Sequence, residues 1–161
     1  MLNKNEVLSA IVTALEADVE ALRRAAQIAY EAATAEENKA ENKYDTLGLE
    51  ASYLATGQAR RAAEIRQALL TYQQLVLRDY DPARGIQISS LVTLEDEQGD
   101  QRRVFIGPEG AGLKIGHGPQ QVTVITPRSP LGQVLIGKRL DDEVSLVVAG
   151  VAQVSAVVAV V

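Results

Sequence analysis

Proline and glycine are spread with a sharp asymmetry along this chain of 161 residues. All five prolines (Pro82, Pro108, Pro119, Pro127 and Pro130) follow residue 81, and only Gly48 and Gly57 of the twelve glycines precede it. Proline removes a helical donor and clashes with the preceding turn, and glycine costs about 1 kcal/mol in a helix interior. The first 80 residues are therefore predicted to be mostly helix, and the rest mostly short strands joined by turns. The change falls in residues 79–85, Asp-Tyr-Asp-Pro-Ala-Arg-Gly. That gives a helical domain over 1–79 and a second domain over 80–161.

The helical half carries two apolar seams. Leu8, Val12, Leu15, Val19, Leu22, Ala26, Ala29 and Ala33 follow one another at alternating spacings of 4 and 3. Such a repeat keeps one stripe turned toward a partner helix. Ala51, Ala55, Gln58, Ala62, Ile65, Leu69, Tyr72 and Val76 repeat it with one polar interruption. Between the seams, residues 36–48 are polar and suit a turn. Two helices joined by a short loop pack antiparallel, so a coiled-coil hairpin is expected. Folding it near 40–45 sets large residues against large ones at the base and alanines against alanines toward the tip. Alanine seams allow close helix approach and bury little area. The tip is therefore slender, as suits entry into a narrow space.

The second half alternates as strands do. Strands are predicted at 86–88 running into 91–94, at 102–106, 121–126, 143–148 and 154–161, with a turn at 95–100. Ser129 can cap a short helix opened by Pro130 and closed at Gly137. The fold class is thus α+β.

Composition removes most familiar chemistry. No cysteine is present and His117 is the lone histidine, so thiolate catalysis, the usual zinc sites and multi-histidine metal centres are excluded. The net charge of −5 disfavours a general nucleic-acid binder. No run of about 18 apolar residues exists to span a bilayer, and the acids near the N-terminus are unlike a signal peptide. A cytoplasmic protein without membrane contact is expected. The glycine-rich residues 107–119 lack the Lys-Ser/Thr of a phosphate loop and read as a hairpin or bulge loop, with His117 an exposed turn residue.

The charge is concentrated. Residues 31–50 carry six acids against Lys39 and Lys43, a net of −4. Glu37, Glu41 and Asp45 recur every four residues and would share one side of a continued helix. On the residues alone, this is either a solvated acidic loop or a set of carboxylates able to share Mg²⁺ with phosphate and water.

The stretch Ser129-Pro130-Leu131-Gly132, through Leu135-Ile136-Gly137-Lys138, to Asp142-Glu143-Val144 resembles the C-terminal signature of bacterial Gre transcript-cleavage factors. Glu41-Asn42 followed by Tyr44, within an acidic hairpin turn, resembles their tip. The resemblance covers nearly the whole chain. It implies a helical hairpin followed by a small antiparallel-sheet domain of FKBP-like fold, with bacterial RNA polymerase as partner. The C-terminal domain would dock on the coiled coil at the rim of the secondary channel, with Ser129 and Pro130 on the docking surface. The tip would enter the channel, where Glu41 and Glu37 would help hold Mg²⁺ supplied by the polymerase during cleavage of backtracked RNA. Asn38 and Asp45 would also face the polymerase, and nascent RNA would be contacted only indirectly. The chain would act as a monomer with no cofactor of its own, lending groups to another enzyme. Asn38 stands where cleavage-active members carry Asp, so a non-cleaving channel regulator is the alternative. A peptidyl-prolyl isomerase would need an aromatic-lined pocket, for which this domain offers only Phe105 after the linker. A generic scaffold would instead dimerise through its hairpin.

Overall fold

The computed structural model describes residues 2–39 and 46–161; for residues 33, 36–39 and 46–55 only the backbone is described. Helix α1 spans Lys4–Lys39 and α2 spans Thr46–Gln73. Strands β1 (Leu91–Asp96), β2 (Gln101–Ile106), β3 (Lys114–Ile115) and β4 (Val122–Ile125) follow, then α3 (Pro130–Leu135), β5 (Glu143–Val148) and β6 (Val151–Val160). The chain forms two compact units: Val12–Leu70, and Met1–Ile11 together with Thr71–Val161.

Helix α1 opens on a reciprocal cap. The Asn3 side chain accepts from the Glu6 N–H at 2.9 Å, and the Glu6 carboxylate accepts from the Asn3 N–H at 2.8 Å. At about 1.5 Å per residue the 36 residues of α1 rise about 54 Å and the 28 of α2 about 42 Å. The Lys4 ammonium nevertheless donates to the Arg78 carbonyl, just beyond the end of α2. Six residues between the helices could not close that distance unless α2 ran back against α1.

Within Val12–Leu70 the seam residues form the shielded line. Leu15, Ala29 and Ala62 are buried, and Val19, Leu22, Ala26, Gln58, Ile65 and Leu69 are half-buried. The Gln58 interruption leaves its Oε1 enclosed without a hydrogen-bond partner. At the N-terminal end the line moves by one residue, so that Val7 and Ile11 are fully buried while Leu8 and Val12 are half-exposed. The reason is a change of partner: residues up to Ile11 belong to the sheet-bearing unit. Val76 lies past the end of α2 and is 70% exposed, so it is not a seam residue. The polar stretch 36–48 is also less of a turn than its composition suggests. Residues 36–39 continue α1, where Glu36, Glu37 and Lys39 are good helix formers, and 46–48 begin α2.

The sheet has six strands in the order β3-β4-β2-β1-β6-β5. It is mixed rather than antiparallel, because β2 and β4 pair in parallel. The segment between them, residues 107–121, is long enough to carry the chain back to the same end of the sheet. That segment contains β3, which pairs antiparallel with β4 and makes the glycine-rich stretch a hairpin loop. His117 is exposed at the start of a 3₁₀ turn, Gly118–Gln120. Residues 86–88 do not form a strand. Ile86 is tied to Lys138 and Gly137 by two backbone bonds of 2.7 and 2.9 Å, and Ser89 then turns the chain with φ +79°.

One face of the sheet packs on α3. Ile86, Val92, Leu94, Val104, Ile106, Ile125, Leu131, Leu135, Val144 and Val157 form this core. The alternate residues of β2 face the other way and are also buried. Phe105 is fully enclosed, and Arg103 donates to the Leu2 carbonyl at 2.8 Å. The first turns of α1 and the last turn of α2 therefore cover the second face. The Tyr72 hydroxyl, from that last turn, donates to the Glu109 carbonyl in the β2–β3 loop.

Candidate functional site

Two separate regions carry the residues singled out by sequence. Glu41 and Asp45 lie outside the described residues, and Glu37 and Asn38 are described only as backbone in the last turn of α1. Among the described residues no group of three or more His, Asp or Glu is placed to hold a metal.

The Ser129-Pro130 segment is described in full. Thr126 follows β4 at a buried position, and the chain turns so that the Ser129 N–H donates to the Thr126 carbonyl at 3.0 Å. The Ser129 hydroxyl donates to the same carbonyl at 2.7 Å and accepts from the Gly132 N–H at 3.2 Å. Ser129 is thus the N-cap of α3, and Pro130 occupies the first helical position, where its missing N–H costs nothing. Leu131 and Leu135 anchor the helix in the core, leaving Arg128, Pro130 and Gln133 exposed. The Gln133 amide donates to the Arg128 carbonyl at 3.2 Å, and Arg128 pairs with Glu109 at 3.6 Å across the surface. An exposed pair of this kind contributes less than about 1 kcal/mol and leaves Arg128 available to a partner.

Replacing Ser129 by alanine removes the cap and one bond to Thr126. The expected cost is about 1 kcal/mol. In a thermal melt that is a fall of roughly 2–4 °C for a protein of this size. An unchanged midpoint would show that Pro130 alone starts the helix.

The loop after α3 is also fixed from within. The Arg139 N–H donates to the Asp142 carboxylate at 2.8 Å, and the Leu140 N–H donates to the Tyr80 hydroxyl at 3.1 Å. Lys138, Arg139 and Leu140 are exposed, Leu140 at 46%. Leu140 was not among the residues singled out by sequence. Its signal was a lone apolar residue within Lys-Arg-Leu-Asp-Asp, flanked entirely by charge. The signature stretch thus forms two braced loops around a short helix and exposes cations and one apolar side chain.

A groove of about 740 Å³ lies elsewhere in the same unit, between the end of α2 and the start of β1. Val76, Ile88 and Pro108 give it apolar walls, and Arg78 and Arg84 are balanced by Asp79 and Asp81. It therefore has no electrostatic preference for an anion or a cation. No described helix is long and apolar enough to cross a membrane.

No family model and no curated protein matches the chain. Among solved structures it is similar to the transcription factor Gfh1, at 26% identity over 94% of this chain and 93% of that one, with a TM-score of 0.40. GreA factor homolog 1 of Thermus thermophilus matches at 26% identity over 94% of both chains, with a TM-score of 0.39. The GreA/GreB elongation factor of Nitrosomonas europaea matches at 17% identity over 73% of this chain and 94% of that one, with a TM-score of 0.38. These TM-scores lie below 0.5, so the functional reading rests on this chain's own residues.

Proposed function

We propose that the chain is a transcription elongation factor of the Gre kind, which binds bacterial RNA polymerase in the cytoplasm and acts through the polymerase's own active site. The observation that carries this reading is the 129–144 signature. Its residues form a capped, core-anchored docking element in a unit that follows two long helices. The sheet-bearing unit, read as FKBP-like, would dock at the rim of the secondary channel through Ser129-Pro130 and the loop bearing Leu140. The hairpin would carry its acidic turn into the channel. Glu41, with Glu37, would present carboxylate oxygens to Mg²⁺ held by the polymerase, a hard cation suited to such ligands. Its chemistry there is the activation of water for phosphoester hydrolysis.

Asn38 favours a second reading, in which the factor occupies the channel without promoting cleavage. A neutral amide is a weaker ligand for Mg²⁺ than a carboxylate. Phe105 is fully buried and so does not line an isomerase pocket.

Backtracked elongation complexes test the proposal. The protein is expected to shorten the RNA or to change pausing, and to co-purify with polymerase. Glu41→Ala is expected to reduce the effect by at least about tenfold, the scale on which groups that order a metal act. Asn38→Asp raises cleavage if the second reading holds. No change in RNA length or pausing, with no binding to polymerase, overturns both readings.

A further inference from the structure

Strand β5 lies at the end of the sheet, and among the described residues nothing pairs with its outer edge. Exposed edges are templates for another strand, and proteins commonly blunt them with lysine, proline or a bulge. This edge has none of these devices. From Val144 to the C-terminus the chain holds no Lys, Arg, Asp, Glu, His or Pro, in a protein that is 23% charged. Its hairpin with β6 is regular, closing through Ala149 and Gly150 at φ +52° and +79°, a two-residue turn matched to strand twist.

The hairpin also overhangs its own sheet. Strand β1 pairs with β6 only from Ser155 onward, so residues 151–154 have β5 as their sole neighbour. There Val147, Val148 and Val151 are 68%, 44% and 63% exposed. A bare two-stranded ribbon is marginal in water; Leu146 packs against the core, while Val147, Val148 and Val151 stay exposed.

A second feature lies along the same edge. A groove of about 390 Å³ runs between α3 and β5, with Val134, Ile136 and Val144 as its apolar walls and Lys138 and Glu143 among its polar ones. Val144 belongs to the α3-side core, so Leu146 and Val148, at alternate positions, share that face.

We propose that this edge and groove form the interface of a two-fold dimer of this chain, with β5 pairing antiparallel to β5 of a second copy. A two-fold axis through Leu146, normal to the sheet, sets Val144 opposite Val148 of the second copy and Ser145 opposite its Val147. Val148 of each copy then enters the other's groove beside Val134 and Ile136, as an isologous interface requires. The register keeps like charges on the two strands apart. Glu143, the one charge on β5, faces Ala149 of the second copy. The two Glu143 carboxylates sit at opposite ends, about 20 Å apart at roughly 3.4 Å per residue. The edge itself selects the occupant. A strand with alternating charges would set them against valine, whereas β5 offers the same uncharged, β-branched surface that it requires. The dimer involves no tip residue, but its groove shares Val134, Ile136 and Val144 with the 129–144 stretch, so it is measured on the chain alone, without polymerase.

Sedimentation of the full chain from about micromolar to about millimolar concentration is the measurement. A reversible step to twice the monomer mass is expected. Val148→Lys and Val147→Lys should each raise the dissociation constant at least about tenfold. Ile28→Lys, at an exposed apolar site on α1, should leave it unchanged. Because the chain lacks cysteine, Leu146→Cys should cross-link to itself under mild oxidation. A monomer at every concentration overturns the proposal and leaves the groove to another kind of partner. So does a dimer that is indifferent to Val148→Lys, or one weakened equally by Ile28→Lys.

Discussion

Gly132→Ala is expected to destabilise the sheet-bearing unit by about 3 kcal/mol or more, the upper range for overpacking. A methyl carbon at Gly132 would lie 1.8 Å from the Thr126 carbonyl oxygen, 2.7 Å from its carbon and 3.0 Å from the Ser129 hydroxyl. The first two are backbone atoms, so no flexible side-chain end can yield. The Thr126 carbonyl already accepts from both the N–H and the hydroxyl of Ser129. Relief must come from moving the first turn of α3 away from the end of β4. That movement lifts Leu131 and Leu135 from the core and breaks the cap. Urea unfolding should show a lower midpoint with an unchanged slope, which signals lost stability in the folded state rather than a changed unfolded one. If Gly132→Ala melted like the parent, the close approach of α3 to Thr126 would be wrong. The proposed docking element would then lose its rigid base. A folded but weakened Gly132→Ala protein that no longer bound polymerase, while retaining the tip sequence, would tie docking to this turn.

The same turn shows what could be read in advance. Ser129 and Pro130 announce a helix start by local chemistry alone, and the helix begins where that chemistry places it. The 3- and 4-residue spacing likewise located the shielded line through Leu15, Ala29 and Ala62. Both signals are local, needing only neighbours within a turn or two. The failures share the opposite character. Val7 and Ile11 fit a helical stripe as well as Leu8 and Val12 do, and only the arrival of the sheet-bearing unit decides between them. The parallel pairing of β2 with β4 depends on the path of residues 107–121, and glycine-rich spacing does not encode a direction. Residues 86–88 alternate like a strand, yet Ile86 serves as a single tether to Gly137 and Lys138.

The candidate site was legible to a different degree in its two halves. Ser129, Pro130 and their neighbours form a motif whose physical meaning, a cap and an anchored short helix, can be stated residue by residue. Leu140 escaped because a single exposed leucine is ordinary. It gains meaning only beside the exposed Lys138 and Arg139, in a loop pinned by Tyr80 and Asp142. Glu37, Glu41 and Asp45 stand out by charge and spacing and Asn38 only through the family resemblance, and the roles of all four wait on the polymerase assay.

Tyr72 offers the second large effect. It is 1% exposed, among the largest wholly buried side chains, and it joins the last turn of α2 to the β2–β3 loop through the Glu109 carbonyl. The loop fits closely around it, since a methyl carbon at Gly107 would meet the Tyr72 hydroxyl at 2.0 Å. Tyr72→Ala is expected to cost about 3–5 kcal/mol, as for other buried aromatic truncations. That is a large share of the roughly 5–15 kcal/mol that holds a typical domain folded. Tyr72→Phe keeps the ring and leaves the Glu109 carbonyl without its donor, at a cost of about 1 kcal/mol. The hydroxyl also sets a pH dependence. Burial, the dominant cause, pushes the phenol well above its ordinary value of about 10. The folded state then keeps a proton that the unfolded state releases. This contribution to stability is complete below about pH 10 and declines as pH rises toward the folded pKa. Lys4, whose pKa burial lowers, acts in the opposite sense but is common to both proteins. Urea midpoints of the parent and of Tyr72→Phe, compared from about pH 8 to about pH 11, should therefore converge on the alkaline side. Curves that stayed parallel would show that the hydroxyl is not held by Glu109 and reaches water instead.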